Sequence, residues 1–282
     1  MTDINTYTTA EIANLTPQSG DLVLNTDDNA VQLWNGSAWK VFNSDVSPFL
    51  NQYSVDFDGS NDHVITSASL IDYDDMANGY TFSGWMWRED VPSLPSNGGT
   101  TNWLGGAYAS ADTNAIYPYL RWYLTDEYWM GSTSHLIRWY HGSQTIDNSV
   151  TLLPKGTWSH LAVTWDGSST VTTYLNGSQL GQRTNAGSLV SRSDKMLIGK
   201  GNWYHKGKVD EVAYWNQGLS SSDITAIYNS GVPDDLSSYS PVGWWRMGDN
   251  DGGTGTTITD QGSGGNDATL TNGPTFSTDV PT

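Results

Sequence analysis

The chain has 282 residues, with 12 Lys plus Arg against 30 Asp plus Glu and no cysteine. Its formal net charge of -18 repels phosphate backbones and anionic lipid, which argues against nucleic acid and membrane as partners. The missing cysteines exclude disulfide frameworks, zinc–thiolate sites and a thiol nucleophile.

Thirty glycines, 14 tryptophans and 15 tyrosines predict strands and turns rather than helices. Residues 1–48 read as a separate small β-hairpin module. Asn5 to Ala13 fits one short helical turn. Asp21–Asn25, Val31–Trp34 and Ala38–Phe42 read as strands, with Asn35-Gly36 a hairpin signal between the last two. Three such strands are marginal alone, so the module is expected to pack against a partner. Asn43 to Pro48 reads as a linker.

Residues 49–282 then run strand after strand. Tyr53–Phe57 and Asp62–Thr66 flank a turn at Asp58-Gly59-Ser60-Asn61. Tyr80–Arg88 alternates, with Tyr80, Phe82, Gly84 and Met86 on one face and Trp85 and Trp87 on the other. Aromatic-rich strands are predicted at Ile116–Leu124, Tyr128–Met130 and Leu136–Tyr140. In Trp158–Trp165 the apolar set is Trp158, Leu161, Val163 and Trp165. Asp166-Gly167 and Asn176-Gly177 turn the chain through Thr170–Leu175 into Gln179–Gln182. Met196–Gly199 and Lys208–Trp215 follow. One helix is predicted, with Ser220 to Asp223 as its start, Ile224, Ile227 and Tyr228 at helical spacing, and Gly231 as its stop. Val242–Met247 and Ala268–Thr271 are the last strands. Regularly spaced strands with one short helix predict an all-β, two-sheet antiparallel β-sandwich.

Several segments resemble the laminin-G-like (concanavalin A-like) jelly-roll family. Val55 to Val64 reads V-D-F-D-G-S-N-D-H-V, similar to the family's "F-D-G-x-x-D-x-V" opening. Tyr80 to Trp87 is similar to "F-T-I-S-x-W-V", and Trp158 to Gly167 to "W-x-H-V-A-V-T-Y-D-G". Thr173 to Gly177 resembles the "x-Y-V-N-G" hairpin. Leu197-Ile198-Gly199 with Gly207 to Trp215 resembles "L-x-I-G … G-x-I-D-E-V-x-I-W", and Leu219 to Tyr228 the helix that follows. Val242 to Met247 and Gly264 to Leu270 resemble a segment that usually opens such a domain, yet here they come last. Either the domain is permuted or a second copy is cut short. Permutation is favoured, because nothing downstream could complete a second copy. Gly20 to Trp39 resembles short attachment modules of tail fibres and other proteins of (marine-type) bacteriophage virions.

The resemblance implies functional residues. In similar sandwiches a structural Ca²⁺ pins an early turn to the "D-E-V" strand. The matching positions are Asp58, the Gly59 carbonyl, Asp62 and Asp210. Asp210 and Glu211 are expected on opposite faces of their strand, so at most one is a ligand. The competing reading is that these carboxylates only accept from turn amides. For a sugar, ring faces beside polar groups are needed. Trp103, Tyr108, Trp203 and Tyr204, in Gly-flanked loop-like stretches, are the candidates. Core packing and a protein interface compete for the same aromatics. None of Glu11, Glu89, Glu127 and Glu211 has the "E-x-D-x-x-E" spacing of family-16 glycosidases, and no catalytic residue is assigned. His160 is expected as a packed strand residue.

No stretch approaches the ~20 apolar residues of a membrane span. Met1 to Ala10 lacks the basic and apolar regions of a signal peptide. The expectation is a non-enzymatic phage virion protein, made in the host cytoplasm. Residues 1–48 would attach it to other virion proteins, as a homo-oligomer with a trimer favoured. The sandwich would be displayed on the particle as capsid decoration, spike or fibre. The rivals are a receptor-recognition module that binds host surface glycan and, more remotely, a polysaccharide hydrolase.

Overall fold

A computed structural model describes residues 5–27, 30–34, 36–42, 49–68, 71–72, 78–89, 100–101, 104–106, 120–125, 135–141, 144–150, 156–187, 189, 193–200 and 204–282. The chain divides into two compact units, residues 1–50 and 51–282.

The first unit holds β1 (Asn5–Tyr7), α1 (Thr9–Ile12), β2 (Leu22–Asn25), β3 (Ala30–Trp34) and β4 (Trp39–Phe42). The strands form one sheet in chain order, with β1 parallel to β2 and the other pairs antiparallel. Where the sequence reads as one helical turn, a strand therefore precedes a four-residue helix. Thr8 caps that helix: Glu11 N donates to its hydroxyl at 3.3 Å, and Thr8 N donates back to Glu11 Oε2 at 2.8 Å. Ile12 and Val23 are buried, and Trp34 meets Trp39 edge to face at 5.5 Å.

The second unit begins with β5 (Ser54–Asp58), β6 (His63–Thr66), β7 (Ile71–Asp72), β8 (Tyr80–Arg88), β9 (Thr100–Thr101), β10 (Leu104–Gly106), β11 (Leu120–Thr125), β12 (His135–His141) and β13 (Gln144–Val150). It continues with β14 (Trp158–Trp165), β15 (Val171–Leu175), β16 (Ser178–Arg183), β17 (Ser193–Asp194), β18 (Met196–Ile198) and β19 (Lys206–Trp215). After α2 (Ser221–Tyr228) come β20 (Gly243–Trp245), β21 (Thr257–Ile258), β22 (Ala268–Thr271) and β23 (Thr275–Ser277). Two large antiparallel sheets result, beside the two-stranded pair β7–β17. One runs β13-β12-β11-β10-β18-β6-β22-β21, and the other β16-β15-β14-β8-β19-β5-β23, with β20 also on β19. The fold is the all-β sandwich expected from the sequence. Its C-terminal segment supplies strands to both sheets, since β22 pairs with β6 and β23 with β5.

Strand alternation builds the core. Tyr80, Phe82 and Met86 of β8, Leu161, Val163 and Trp165 of β14, and Val209 and Tyr214 of β19 belong to one buried cluster. Trp158 does not join them. It shares the parity of His160 and Ala162, so the pleat turns it to the outer face of the sheet. Inside the core a polar relay links a strand of each sheet. Trp139 Nε1 donates to the Tyr80 hydroxyl at 2.8 Å, which is hydrogen bonded to His141 Nδ1 at 2.9 Å. His141 Nε2 donates to the Gly187 carbonyl at 2.7 Å, which fixes the ring's tautomer.

α2 closes part of the outer face. Ser220 and Asp223 form its capping box, and Asn229 ends it in the left-handed region. Ile224 packs with Ala162 and Tyr174, while Tyr228 stacks on Trp85 at 5.7 Å. The hairpin turn under it has φ 49° at Asn176 and 72° at Gly177, as a two-residue turn of this hand requires. A Cβ at Gly177 would lie 2.7 Å from Tyr228 Cδ1. Gly177→Ala is therefore expected to cost about 1–3 kcal/mol, from backbone strain and a displaced Tyr228. Urea unfolding measures it, and an unchanged midpoint would contradict this packing.

Candidate functional site

The β5–β6 turn holds three of the four positions expected to bind Ca²⁺. Asp58 Oδ1 accepts from Ser60 N at 2.7 Å, and Asp62 Oδ2 accepts from Asp58 N at 3.1 Å. Gly59 has φ 81°, and a Cβ there would meet Lys206 Cβ at 2.8 Å, so the turn lies tight on β19. Burial raises the Asp62 carboxyl above its ordinary range, against the pull of the Asp58 amide. Asp210 is elsewhere. Asp58 pairs with Lys206, which puts Asp210 four residues further along β19, about 13 Å away. The four residues do not converge on one ion, and the turn carboxylates are engaged by backbone amides. Among the described residues no group of three or more His, Asp or Glu is arranged to hold a metal.

Asp210 belongs to a different, buried cluster. The pairing of β19 with β8 shifts register between Asp210 and Ala213, and Glu211 has φ 46°. This bulge breaks the alternation. Asp210 and Glu211 do not diverge to opposite faces as the sequence predicts, and both carboxylates are buried beside Asp249. Asp210 accepts from Asn51 Nδ2 at 2.9 Å and from Glu211 N at 2.8 Å, while Asn51 Oδ1 is buried without a partner. Glu211 accepts from Trp244 Nε1 at 2.6 Å and from Arg246 Nε at 3.0 Å. Arg246 also reaches Asp249, whose other oxygen accepts from the Gln52 and Tyr53 amides at 2.8 and 2.9 Å. Burial pushes Asp210 well above the usual carboxylate range, with the Glu211 charge adding to it. Burial likewise lifts Glu211 to about 7, although Arg246 and Trp244 oppose the rise. The cluster ties three chain segments together, and its three carboxylates are buried.

Of the candidate sugar-stacking rings, Trp103, Tyr108 and Trp203 lie outside the described residues. Tyr204 is half-buried, bridged to Lys200, with its ring 6.4 Å from His63 and Lys200 Nζ 5.5 Å from its centroid. His160 and His205 serve packing. His160 is buried, is hydrogen bonded to Ser83 at 2.9 Å, and is pushed down to about 3 by desolvation. His205 is buried against Phe57 and is pushed down to about 4 by the same cause.

A row of side chains that the sequence reading did not single out crosses the outer face. The register places Trp158 beside Trp87, Trp87 beside Lys208, and Lys208 beside Asp56. All four are half-buried. Lys208 Nζ lies 4.3 Å from the Trp87 ring centroid and 2.7 Å from Asp279 Oδ2, whose other oxygen accepts from Trp158 Nε1 at 3.2 Å. Burial raises Asp56 above its usual range, with Lys208 opposing. The signal was the parity of Trp158 with His160, masked by its apolar character.

Comparison with known proteins adds the following. The profile of the concanavalin A-like lectin/glucanases superfamily, laminin-G type, matches residues 58–225, more than half of the chain. The structure is similar to a putative carbohydrate binding protein from Bacteroides ovatus, with a TM-score of 0.57 and 17% identity. That alignment covers 83% of this chain and 62% of the other. A heptameric SAP-like pentraxin from Limulus polyphemus is similar at a TM-score of 0.49 and 15% identity, over 63% of this chain and 82% of that one. Domain 4 of a GH43 extracellular arabinanase from Geobacillus stearothermophilus gives 0.44 and 20%, over 62% and 76%. At such identities the likeness shows the fold alone. Among curated proteins none matches the chain in sequence.

The buried histidines predict acid sensitivity. Folding holds His160 and His205 at about 3 and about 4 instead of 6.5, so below pH 6.5 the unfolded chain takes up their protons first. Their contribution is complete above pH 6.5 and is lost as the pH falls toward 4. In His205→Phe one such uptake is removed. Its unfolding free energy, from urea titrations across this window, is expected to fall less steeply with acid than that of the unsubstituted chain.

Proposed function

Because the chain belongs to the concanavalin A-like lectin/glucanase superfamily, we propose that it is a non-catalytic binding protein whose sandwich recognises carbohydrate. On this reading the first unit fixes it to the surface of a bacteriophage particle. The observation that carries the reading is a complete two-sheet sandwich of this family whose described glutamates are all engaged in structural contacts. Glu11 caps α1, Glu89 pairs with Lys206 at 3.2 Å, and Glu211 holds Trp244 and Arg246. None of these three glutamates stands beside a second glutamate as the acid and nucleophile of a glutamate-based glycosidase do. The putative carbohydrate binding protein of the same fold supports the ligand class.

The attachment role rests on the resemblance of Gly20 to Trp39 to virion modules, together with the separate compactness of residues 1–50. The protein's partners on this reading are other virion proteins and a host surface glycan. The expected result of deleting residues 1–50 is a sandwich that still unfolds cooperatively but is missing from purified particles. Mass spectrometry of the particles reads this, and wild-type copy number of the truncated chain would overturn the division of roles. On a glycan array the full chain is expected to retain at least one glycan while releasing no sugar from it. Reducing-end release from any retained polysaccharide would replace this reading with a hydrolase.

A further inference from the structure

The outer face of the β14-β8-β19-β5 sheet is unevenly covered. In one row His160, Trp85 and Asp210 are buried, with Tyr228 of α2 stacked on Trp85 and 6.0 Å from His160. Two residues along each strand, the next row stays partly exposed: Trp158, Trp87, Lys208 and Asp56. These four span three inter-strand steps, about 14 Å. Asp279 closes one side, 47% exposed, held by Lys208 Nζ and Trp158 Nε1.

This row combines two kinds of group that a sugar ring needs together. The indoles offer apolar surface for its C–H side, one face of Trp87 being taken by Lys208, while the ammonium and the indole N–H now held by Asp279, with the two carboxylates, offer donors and acceptors that its hydroxyls can take over. The charge selects further. The row has one cation against two carboxylates, on a chain of net charge -18, so a polyanion is repelled. We propose that the Trp158–Trp87–Lys208–Asp56 row, flanked by Asp279, is the subsite that binds a neutral pyranose glycan.

The inference rests on the carbohydrate-recognition reading and names the surface that performs it. The test prints neutral glucans, mannans and galactans, with alginate as the charged arm, and probes them with the full-length chain. Neutral glycan is expected to bind and alginate not. Trp158→Ala and Trp87→Ala are each expected to weaken that binding about tenfold, with Trp158→Phe recovering most of it. Should either alanine variant fail to fold by near-ultraviolet circular dichroism, Asp56→Asn and Lys208→Met carry the test, with the same direction expected. Undiminished binding by the row variants, with loss in Tyr204→Ala, would place the sugar elsewhere and leave the recognition reading intact. Preference for alginate would overturn the proposed selectivity. Binding of no glycan by the full chain would remove the recognition reading and this inference with it.

Discussion

The second unit depends on one irregularity, the bulge at Asp210 and Glu211 in β19. That strand has β8 along one side and two partners on the other, β5 against Lys206–Val209 and β20 against Val212–Tyr214. A regular strand would keep one neighbour. The extra residue, with Glu211 in the left-handed region, re-aims the strand where the partner changes. It also turns two consecutive carboxylates into one buried cluster, which then ties Asn51 to Tyr53 to the segment from Trp244 to Asp249. Buried ion pairs of this kind add little net stability, because desolvation offsets their attraction. Their effect is selective. A chain that paired β20 or β5 out of register would leave Glu211 or Arg246 buried and alone, at a cost of several kcal/mol.

Much of this was legible before any coordinates. Two-residue periodicity set Tyr80, Phe82 and Met86 on one face and Trp85 and Trp87 on the other, and the first set proves to be the core face. Asn176-Gly177 announced its hairpin through the two positive φ angles it requires. The failures have equally physical causes. Nothing in Asp210-Glu211 marks a bulge, since the signal lies in the register of the partners and not in the residues themselves. Periodicity alone therefore sent those carboxylates to opposite faces. β13 and β23 were missed because Gln144–Val150 and Thr275–Ser277 carry little apolar alternation and owe their pairing to β12 and β5. The Ca²⁺ set is divided between two places. Resemblance supplied the residue types, but strand rise sets Asp210 about 13 Å beyond the turn that holds Asp58 and Asp62.

Trp158 shows how composition can mislead where parity would not. Apolar residues in a strand are assigned inward by default, so a tryptophan beside Leu161 and Val163 reads as core. Its position an even number of residues from His160 and Ala162 contradicts that. The contradiction is informative, because a partly exposed indole forgoes some of the roughly 25 cal/mol per Å² that full burial returns. A sheet whose only task was stability would bury that ring, as it buries Trp85 one row away under Tyr228. α2 ends at Tyr228, so the helix covers the Trp85 row, and the Trp87 row stays partly exposed.

The electrostatics point the same way. With 12 Lys plus Arg in 282 residues, cations are scarce, and those of the sheet edge are matched: Lys206 to Glu89, Lys208 to Asp279, Arg246 to Glu211 and Asp249. Arg246, 12% exposed, is held between two carboxylates that are only 3% and 2% exposed. Lys208 is scarcely more exposed, at 15%, but its ammonium lies over the Trp87 ring and its partner Asp279 is 47% exposed. An ion pair so exposed contributes at most about 1 kcal/mol, so hydroxyl groups can exchange with it at little cost. The sheet thus separates its charges by burial. Those at the bulge fix the register of the C-terminal strands, and those two residues away along the same strand remain free to rearrange around a ligand.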